Sequence, residues 1–357
     1  MKKMIIALAA TAALLGGFAS GVQAQDKTKV CFIYVGSKTD GGWSQAHDIG
    51  RQALQEHFGD KIETPILENV PEGPDAERAI ERMARSGCGM VFTTSFGFMD
   101  ATVKVAEKFP DIKFEHATGF KSAENLATYN ARFYEGRYIQ GQIAAKMSKK
   151  GVAGYIASFP IPEVVMGINA FILGAQSVNP DFELKVVWAN TWFDPGKEAD
   201  AAKALIDQGV DILTQHTDTT APMQVAAERG ILAFGQASDM IAAGPNTQLT
   251  AIVDTWAAYY IKRVQAHLDG NWKSEHIWDG LKDGILTMAP YTNMPDDVKA
   301  MAEETEAKIK SGELHPFTGP VKKQDGTEWL AEGQKADDGT LLGMNFYVEG
   351  VDDTLPQ

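Results

Sequence analysis

The sequence predicts an α/β fold of two lobes, each with a parallel sheet covered by helices. Short apolar runs typical of buried strands alternate with longer segments of helical periodicity, and this alternation restarts after Asn130. A chain of 357 residues also exceeds what one compact core normally accommodates. No low-complexity linker separates the two halves, so we expect several short crossings of the chain between the lobes.

In the first half, apolar runs bounded by turn residues predict strands, and apolar residues at helical spacing predict helices. The second helix illustrates this, since Ile80, Met83 and Ala84 share one face and Gly87 and Gly89 follow its end. The predicted strands are 30–35, 62–67, 90–94, 113–117 and 126–129, and the predicted helices are 44–57, 74–86 and 99–109.

The second half shows the same alternation. It predicts helices at 134–147, 162–178, 197–207 and 221–229 and strands at 152–156, 184–188, 211–214, 231–234 and 249–253. A helix at 255–268 is expected to return to the first lobe, a polar helix covers 296–311, and the glycine-rich tail after Gly312 predicts turns and a short hairpin. We therefore predict a first lobe of 25–129 with 254–290 and a second lobe of 130–253 with 291–357.

The N-terminal residues predict where the protein works. Lys2 and Lys3 precede an apolar stretch at 4–15, and Val22-Gln23-Ala24 forms a small-x-small cleavage site. This pattern predicts a cleavable secretory signal peptide over residues 1–24 and a periplasmic mature protein. No cysteine lies near the cleavage site, so we do not expect a lipid anchor there.

Composition and motifs exclude several function classes. The chain has 33 basic and 47 acidic residues, a net charge of −14, which argues against binding to nucleic acid phosphates. The seven histidines have no zinc-ligand spacing, and no Gly-x-Ser-x-Gly elbow or Walker loop is present. We therefore expect no catalysis, no metal and no cofactor. The sequence leaves the oligomeric state open, and we expect a monomer.

Two cysteines, Cys31 and Cys88, each open a predicted strand. If these strands are parallel neighbours, both cysteines lie at the same end of the sheet. Export permits a disulfide between them. Two buried free thiols are the alternative, and the sequence does not choose between the two.

The loops after the predicted strands carry aromatic and short polar side chains. In open α/β sheets, ligands bind at the carboxyl ends of the strands, so these loops predict a small-molecule cleft between the lobes. Trp43 and Trp192, one from each lobe, are candidates to sandwich a planar ring, although each alone could be hinge or helix packing. The candidate binding residues are Asp40, Trp43, Ser44, Gln45, Ser95, Phe96, Trp192, Asp218, Gln236 and Asp239.

Three segments carry a resemblance to a known family. Residues 40–45 (Asp-Gly-Gly-Trp-Ser-Gln), 192–198 (Trp-Phe-Asp-Pro-Gly-Lys-Glu) and 235–239 (Gly-Gln-Ala-Ser-Asp) resemble the basic membrane protein family. These are substrate-binding proteins of ABC importers with two Rossmann-like lobes, hinge crossings and the type I periplasmic-binding architecture. The resemblance implies a purine nucleoside or base as ligand and an inner-membrane ABC permease as partner.

The resemblance also implies roles for single residues. Trp43 and Trp192 should stack on the two faces of the base. Asp40, Ser44 and Gln45 match the polar positions of the first loop. Asp239 matches an acidic residue that meets the ribose hydroxyls, and Asp218 lies at a strand end of the second lobe.

Two departures from the family pattern bear on the ligand. Ser44 stands where the family usually has Asn, and Asp254 where it usually has Lys. Losing that Lys weakens the expected sugar site, so a free purine base, adenine above all, becomes a candidate beside the nucleoside. The remaining alternatives are a sugar-binding protein of the same fold and an exported nucleoside hydrolase.

Overall fold

The computed structural model describes residues 27–356, and the predicted signal peptide at 1–24 lies outside this range. Its strands are β1 (Thr28–Tyr34), β2 (Ile62–Glu63), β3 (Ile66–Leu67), β4 (Cys88–Thr94), β5 (Lys113–Ala117), β6 (Leu126–Ala131), β7 (Val152–Ala157), β8 (Glu183–Trp188), β9 (Ile212–Gln215), β10 (Leu232–Gly235), β11 (Gln248–Asp254), β12 (His276–Asp279), β13 (Leu286–Met288), β14 (Val321–Lys322), β15 (Glu328–Leu330) and β16 (Val351–Asp352). Its helices are α1 (Trp43–Phe58), α2 (Pro74–Arg85), α3 (Met99–Lys108), α4 (Phe133–Met147), α5 (Pro162–Gln176), α6 (Pro195–Asp207), α7 (Ala221–Arg229), α8 (Ala257–Leu268), α9 (Asp296–Ser311) and α10 (Asp338–Leu342).

The first lobe is built on a parallel sheet in the order β12-β6-β5-β4-β1-β2, with β3 also paired to β1. Val30 to Tyr34 of β1 are fully buried, because helices cover the sheet on both faces. Helices α1 and α8 pack together, and α2 packs with α3. A continuous apolar run such as that of β1 is typical of a strand buried on both faces.

The second lobe has a sheet in the order β13-β11-β10-β9-β7-β8-β16. All its pairings are parallel except that of β13 with β11. Helices α4 and α5 approach at backbone distance, since a Cβ added at Gly141 or Gly174 would collide with a carbonyl oxygen of the other helix. The predicted fold class, two α/β lobes with parallel sheets, is confirmed.

Within residues 27–356 the chain crosses between the lobes three times: between β6 and α4, between β11 and α8, and between β12 and β13. One expected boundary needs correction, because we assigned 254–290 to the first lobe. Leu286–Met288 pairs with β11 of the second sheet, so the third crossing occurs near residue 280. Arg132 and Glu135, just after the first crossing, contact this region, with Leu281 N donating to Glu135 Oε2 at 2.8 Å.

The two cysteines lie on neighbouring strands, as β1 pairs in parallel with β4. Cys31 and Cys88 form a disulfide, with their Cα atoms 6.0 Å apart. The structure therefore takes the first of the two alternatives that the sequence left open.

Most predicted elements match the observed ones within a few residues. The exception in the first half is 62–67, which is two short strands rather than one because Pro65 interrupts it. Its carbonyl oxygen accepts from Phe32 N at 2.9 Å, so the segment still lies along β1. The tail forms the expected hairpin, β14 with β15, but β12, β13 and β16 are too short to show a pattern. Within residues 27–356, no helix has the length and apolar character needed to cross a membrane.

Candidate ligand-binding site

A cavity lies between the two lobes, at the carboxyl ends of the parallel strands. Side chains from both lobes form its wall, and the residues that line it are Val35, Trp43, Ser95, Phe96, Thr118, Ile161, Glu163, Trp192, His216, Asp218 and Gln236. An outer opening continues past Trp192 and Asp218 toward Asn69 and Asn190. Six of the predicted candidates thus come together at one place: Trp43, Ser95, Phe96, Trp192, Asp218 and Gln236.

The loop between β1 and α1 places Trp43 at the cavity. The Asp40 carboxylate accepts from the backbone N–H groups of Gly42 at 3.0 Å, Ser44 at 2.8 Å and Gln45 at 3.0 Å. These groups begin α1 and have no partner within the helix, so Asp40 stabilises the loop rather than lining the cavity. Burial raises the pKa of Asp40 even though these backbone bonds lower it.

Ser44 and Gln45 also lie outside the cavity wall. Ser44 Oγ accepts from Gly36 N at 3.2 Å and is fully buried within the loop. Gln45 is half-buried on α1. The sequence predicted that these polar residues lie near a ligand. Instead, Asp40 accepts hydrogen bonds from the N–H groups at the start of the helix, and Ser44 accepts one from the loop backbone.

The indole of Trp43 is held in place by its neighbours. Its Nε1 donates to Thr94 O at 2.7 Å. His47 and Trp256 pack edge-on against it, with ring centroids 4.4 and 5.6 Å away. Burial lowers the pKa of His47, so this neighbour is a neutral imidazole. Trp43 is therefore a rigid wall of the cavity on the side of the first lobe.

Trp192 lines the cavity from the second lobe. It packs against Phe159 at a centroid distance of 5.2 Å, and its buried Nε1 has no hydrogen-bond partner among residues 27–356. Asp194 caps α6 by accepting from Gly196 N and Lys197 N, each at 3.0 Å. The segment 192–198 therefore combines an aromatic wall with a helix start that fixes it.

Glu198 connects this segment to the next loop. Its carboxylate accepts from Asp194 N at 3.0 Å and from Thr219 Oγ1 at 2.7 Å. Asp218 directly precedes Thr219 and is buried. Burial first, then the neighbouring Asp40 and Glu198 carboxylates, raise the pKa of Asp218 well above its ordinary value. Asp218 is therefore a cavity residue that resists ionisation.

The lobes touch directly around Asp218. Trp43 N donates to Asp218 Oδ1 at 3.3 Å, and Ser238 Oγ of the second lobe donates to Gly41 O of the first. Gly42 lies against the Asp218 backbone, where an added Cβ would come within 2.8 Å of Asp218 O. The structure is therefore a closed form, in which the glycine-rich loop rests on the opposite lobe.

A polar cluster lies at the second-lobe side of the cavity. His216 Nε2 is 3.4 Å from Glu163 Oε1, and its Nδ1 is 3.3 Å from the Tyr155 hydroxyl. Burial lowers the pKa of His216 and raises that of Asp254 well above its ordinary value, the latter helped by the nearby Glu163. Glu163 Oε2 and both Asp254 oxygens are buried without a hydrogen-bond partner in the described part of the chain.

Asp239 does not join the site. It is exposed and accepts from Gln248 Nε2 at 2.7 Å and from Ile241 N at 3.1 Å. Ala237 has a φ of +57°, which redirects the loop so that Ser238 reaches the other lobe. The ribose role expected for Asp239 therefore finds no support in its position.

The sequence from residue 27 to 319 matches the family described as ABC transporter substrate-binding protein PnrA-like. The chain belongs to this family. The expected resemblance to substrate-binding proteins of ABC transporters is thus confirmed.

Similar proteins agree with this membership. A purine-binding protein of Brucella abortus is 70% identical over 344 residues, covering 96% of this chain and 97% of its own. A putative ABC transporter glucose-binding protein of Haloferax volcanii is 35% identical, over 93% of this chain and 82% of its own. The solved structure of an ABC transporter solute-binding protein from Aeropyrum pernix K1 has a TM-score of 0.71, covering 88% of this chain and 95% of its own. At 18% identity, the likeness to that structure shows the shared fold alone.

Sequence reasoning missed two charged residues of this substrate-binding protein. Glu163 stands in the first turn of α5 and Arg137 lies on α4, so both belong to helices rather than to the loops that follow the strands. The sequence did contain a signal, since each is a charged residue within a mostly apolar helix pattern. Burying such a residue is unfavourable unless it is paired or hydrogen-bonded. His216, one of the seven histidines that have no zinc-ligand spacing, is buried at the cavity wall. Among residues 27–356, no group of His, Cys, Asp or Glu side chains is arranged to hold a metal ion.

Proposed function

We propose that this ABC substrate-binding protein captures a purine base, adenine in the first place, between its lobes. The observation that carries the proposal is a cavity that has a tryptophan from each lobe and acidic side chains in its wall. The 70% identical relative named as purine-binding supports the same ligand class. Glucose, named for the 35% identical relative, is the competing candidate.

The two tryptophans favour a flat ligand. Trp43 and Trp192 line the cavity from opposite lobes, and stacking of a base on an aromatic ring stabilises binding by about 1–3 kcal/mol. Trp43 is already fixed by its bond to Thr94 O, so little side-chain entropy is lost when a ring stacks on it. Sugars also stack on tryptophan, so the choice between them depends on the polar groups.

The polar groups favour a base rich in N–H donors. Glu163 and Asp218 line the cavity, and carboxyl oxygens accept hydrogen bonds. Adenine offers N–H groups on its amino nitrogen and on its imidazole ring and carries no carbonyl oxygen that would face these carboxyl oxygens. Hypoxanthine replaces the amino group with a carbonyl, and guanine adds one. This pattern supports adenine over either oxopurine.

Two further residues favour the base over the nucleoside. Asp239, the residue expected to meet a ribose, lies exposed on another hydrogen bond. Asp254, buried near Glu163 where the family usually has Lys, offers no cationic donor to a sugar hydroxyl. We infer that the site does not depend on ribose.

The rest of the proposal follows from the transporter family. We propose that residues 1–24 direct export, that the mature protein works in the periplasm as a monomer without a lipid anchor, and that its closed form delivers the ligand to an inner-membrane permease. Residues 41–43 of the first lobe contact Asp218 and Ser238 of the second lobe, and these contacts exist only when the cleft is closed. A ligand held by both lobes stabilises this closed form.

The test begins with protein purified without added ligand. Mass spectrometry of the denatured sample should release adenine. After stripping, calorimetry with adenine, guanine, adenosine and glucose should rank adenine first, and chromatography should recover every ligand unchanged. Tenfold tighter binding of adenosine than of adenine would refute the base preference. Binding of glucose alone would refute the purine class, and a cleaved nucleoside would identify a hydrolase.

A further inference from the structure

Arg137 is fully buried behind the cavity wall, on α4 of the second lobe. Its Nη1 donates to Thr214 Oγ1 at 2.9 Å and its Nη2 to Gln215 O at 2.8 Å. The guanidinium also lies over the Tyr155 ring, 5.2 Å from its centroid. These contacts come from two neighbouring strands, β7 and β9, so the guanidinium is held in one orientation.

The same guanidinium contacts a residue of the cavity wall. Arg137 Nη2 donates to Gln236 Oε1, and Gln236 lines the cavity. A guanidinium has only donors, so only the oxygen end of the Gln236 amide can face it. The amide nitrogen is left without a hydrogen-bond acceptor among the described residues. The chemistry of the neighbour therefore fixes the rotation of this amide.

We propose that Arg137 is a positioning residue that makes Gln236 Nε2 an obligatory hydrogen-bond donor to a ring nitrogen of the bound purine. The inference rests on the proposed purine ligand and specifies how that ligand is recognised. Bonding of Arg137 to the amide oxygen also polarises the amide N–H and strengthens its donation. The other cavity groups, Glu163 and Asp218, are carboxyls, so Gln236 supplies a different kind of recognition.

A donor fixed in this way discriminates between a ring nitrogen and a ring C–H. A free glutamine could rotate its amide and present oxygen or nitrogen, whereas Gln236 cannot do so while Arg137 holds its oxygen. Replacing one ring nitrogen by C–H would leave the Gln236 N–H buried and unpaired. The expected penalty is about tenfold in affinity.

The experiment uses adenine and its 1-deaza, 3-deaza and 7-deaza analogues, with the Kd of each measured by calorimetry on stripped protein. In the parent, at least one analogue should bind about tenfold more weakly than adenine. Gln236→Glu keeps the shape and the contact with Arg137 but removes the donor, so that analogue should then bind as well as adenine. Ratios for ring nitrogens bonded elsewhere, for example by Trp192 Nε1, should stay unchanged.

Variants of Arg137 test whether this residue orients the Gln236 amide or only stabilises the fold. Arg137→Lys still offers only donors to Gln236 and should keep the parent ratio, whereas Arg137→Gln allows either amide rotation and should lose it. Melting curves report which variants are folded, and if Arg137→Gln is not, the Gln236→Glu and Arg137→Lys ratios decide.

The outcomes separate this inference from the proposed function. If adenine binds but no analogue is penalised, or if Gln236→Glu keeps the parent ratio, the inference is wrong and the purine site stands. A loss of the ratio in folded Arg137→Lys also overturns the positioning role. If the parent binds no purine, both fail.

Discussion

Gly42 gives the sharpest test of the closed form. It lies in the first lobe, yet the three atoms nearest to an added Cβ all belong to Asp218 of the second lobe. They would be its carbonyl oxygen at 2.8 Å, its Cα at 2.9 Å and its Cβ at 3.0 Å. Two of these are backbone atoms and cannot rotate away. Gly42→Ala should therefore oppose closure.

The size of the effect follows from this overlap. Forcing a methyl group into a packed contact typically costs about 1–3 kcal/mol. The cost falls on the closed form alone, because opening the cleft removes the contact. If the ligand binds by closure, its Kd should rise by about 5- to 150-fold, since each 1.4 kcal/mol corresponds to a factor of ten.

The assay is calorimetry on stripped protein, with the radius of gyration from small-angle scattering as a second measurement. Gly343→Ala is the matched control, because its added Cβ would meet only Gly339 O at 3.6 Å. The melting temperatures of the ligand-free parent and variant show how far the replacement of glycine at the start of α1 changes stability by itself. Ligand binding by Gly42→Ala within twofold of the parent would refute this account of closure.

Three other outcomes are expected. Trp192→Ala should lose about 1–3 kcal/mol of ligand binding by calorimetry, and Trp329→Phe, in the C-terminal hairpin, should lose none. Replacing both Cys31 and Cys88 by Ala should lower the free energy of unfolding in urea by about 4 kcal/mol, because the unfolded chain is then no longer closed into a loop across the separation of 57 residues. The Kd for the ligand should stay unchanged. Asp218 has a raised pKa in the folded state, so its stabilising contribution is present below the ordinary pKa of 3.8 and is lost as pH rises. Measured with saturating ligand, which holds the lobes closed, Asp218→Asn should therefore gain melting temperature relative to the parent as pH increases toward 7; a constant difference would contradict this.

Much of the architecture could be predicted because buried strands and amphipathic helices leave different periodicities in the sequence. The loops after the strands could be predicted in the same way, since parallel strands bring their carboxyl ends together. This is why Trp43, Trp192 and Asp218, far apart in the chain, were expected near one another. The short strand at Leu286–Met288 could not be assigned, because three residues carry no period and its partner is set by the third crossing.

The misplaced polar residues have a common cause. A carboxylate or hydroxyl at the start of a helix can bond either a ligand or the free backbone N–H groups, and the sequence is the same in both cases. Asp40 bonds the helix N–H groups and Ser44 the loop backbone. Glu163 and Arg137 show the opposite case, since their roles depend on which side of a helix faces the cavity and its wall. Only the tertiary structure supplies that information.

Closure and ligand choice are linked through the same carboxyl group. Asp218 receives the Trp43 N–H, supports Gly42 and lines the cavity, so closing the lobes removes its side chain from water. Nearby Asp40 and Glu198 oppose its ionisation, so closing the lobes favours the neutral carboxyl, which has one O–H donor and a carbonyl acceptor. A purine base can pair with both, because it offers N–H groups to the carbonyl oxygen and ring nitrogens to the O–H. We therefore expect closure to be least costly around a ligand that satisfies this carboxyl group, since a buried polar group without a partner is unfavourable.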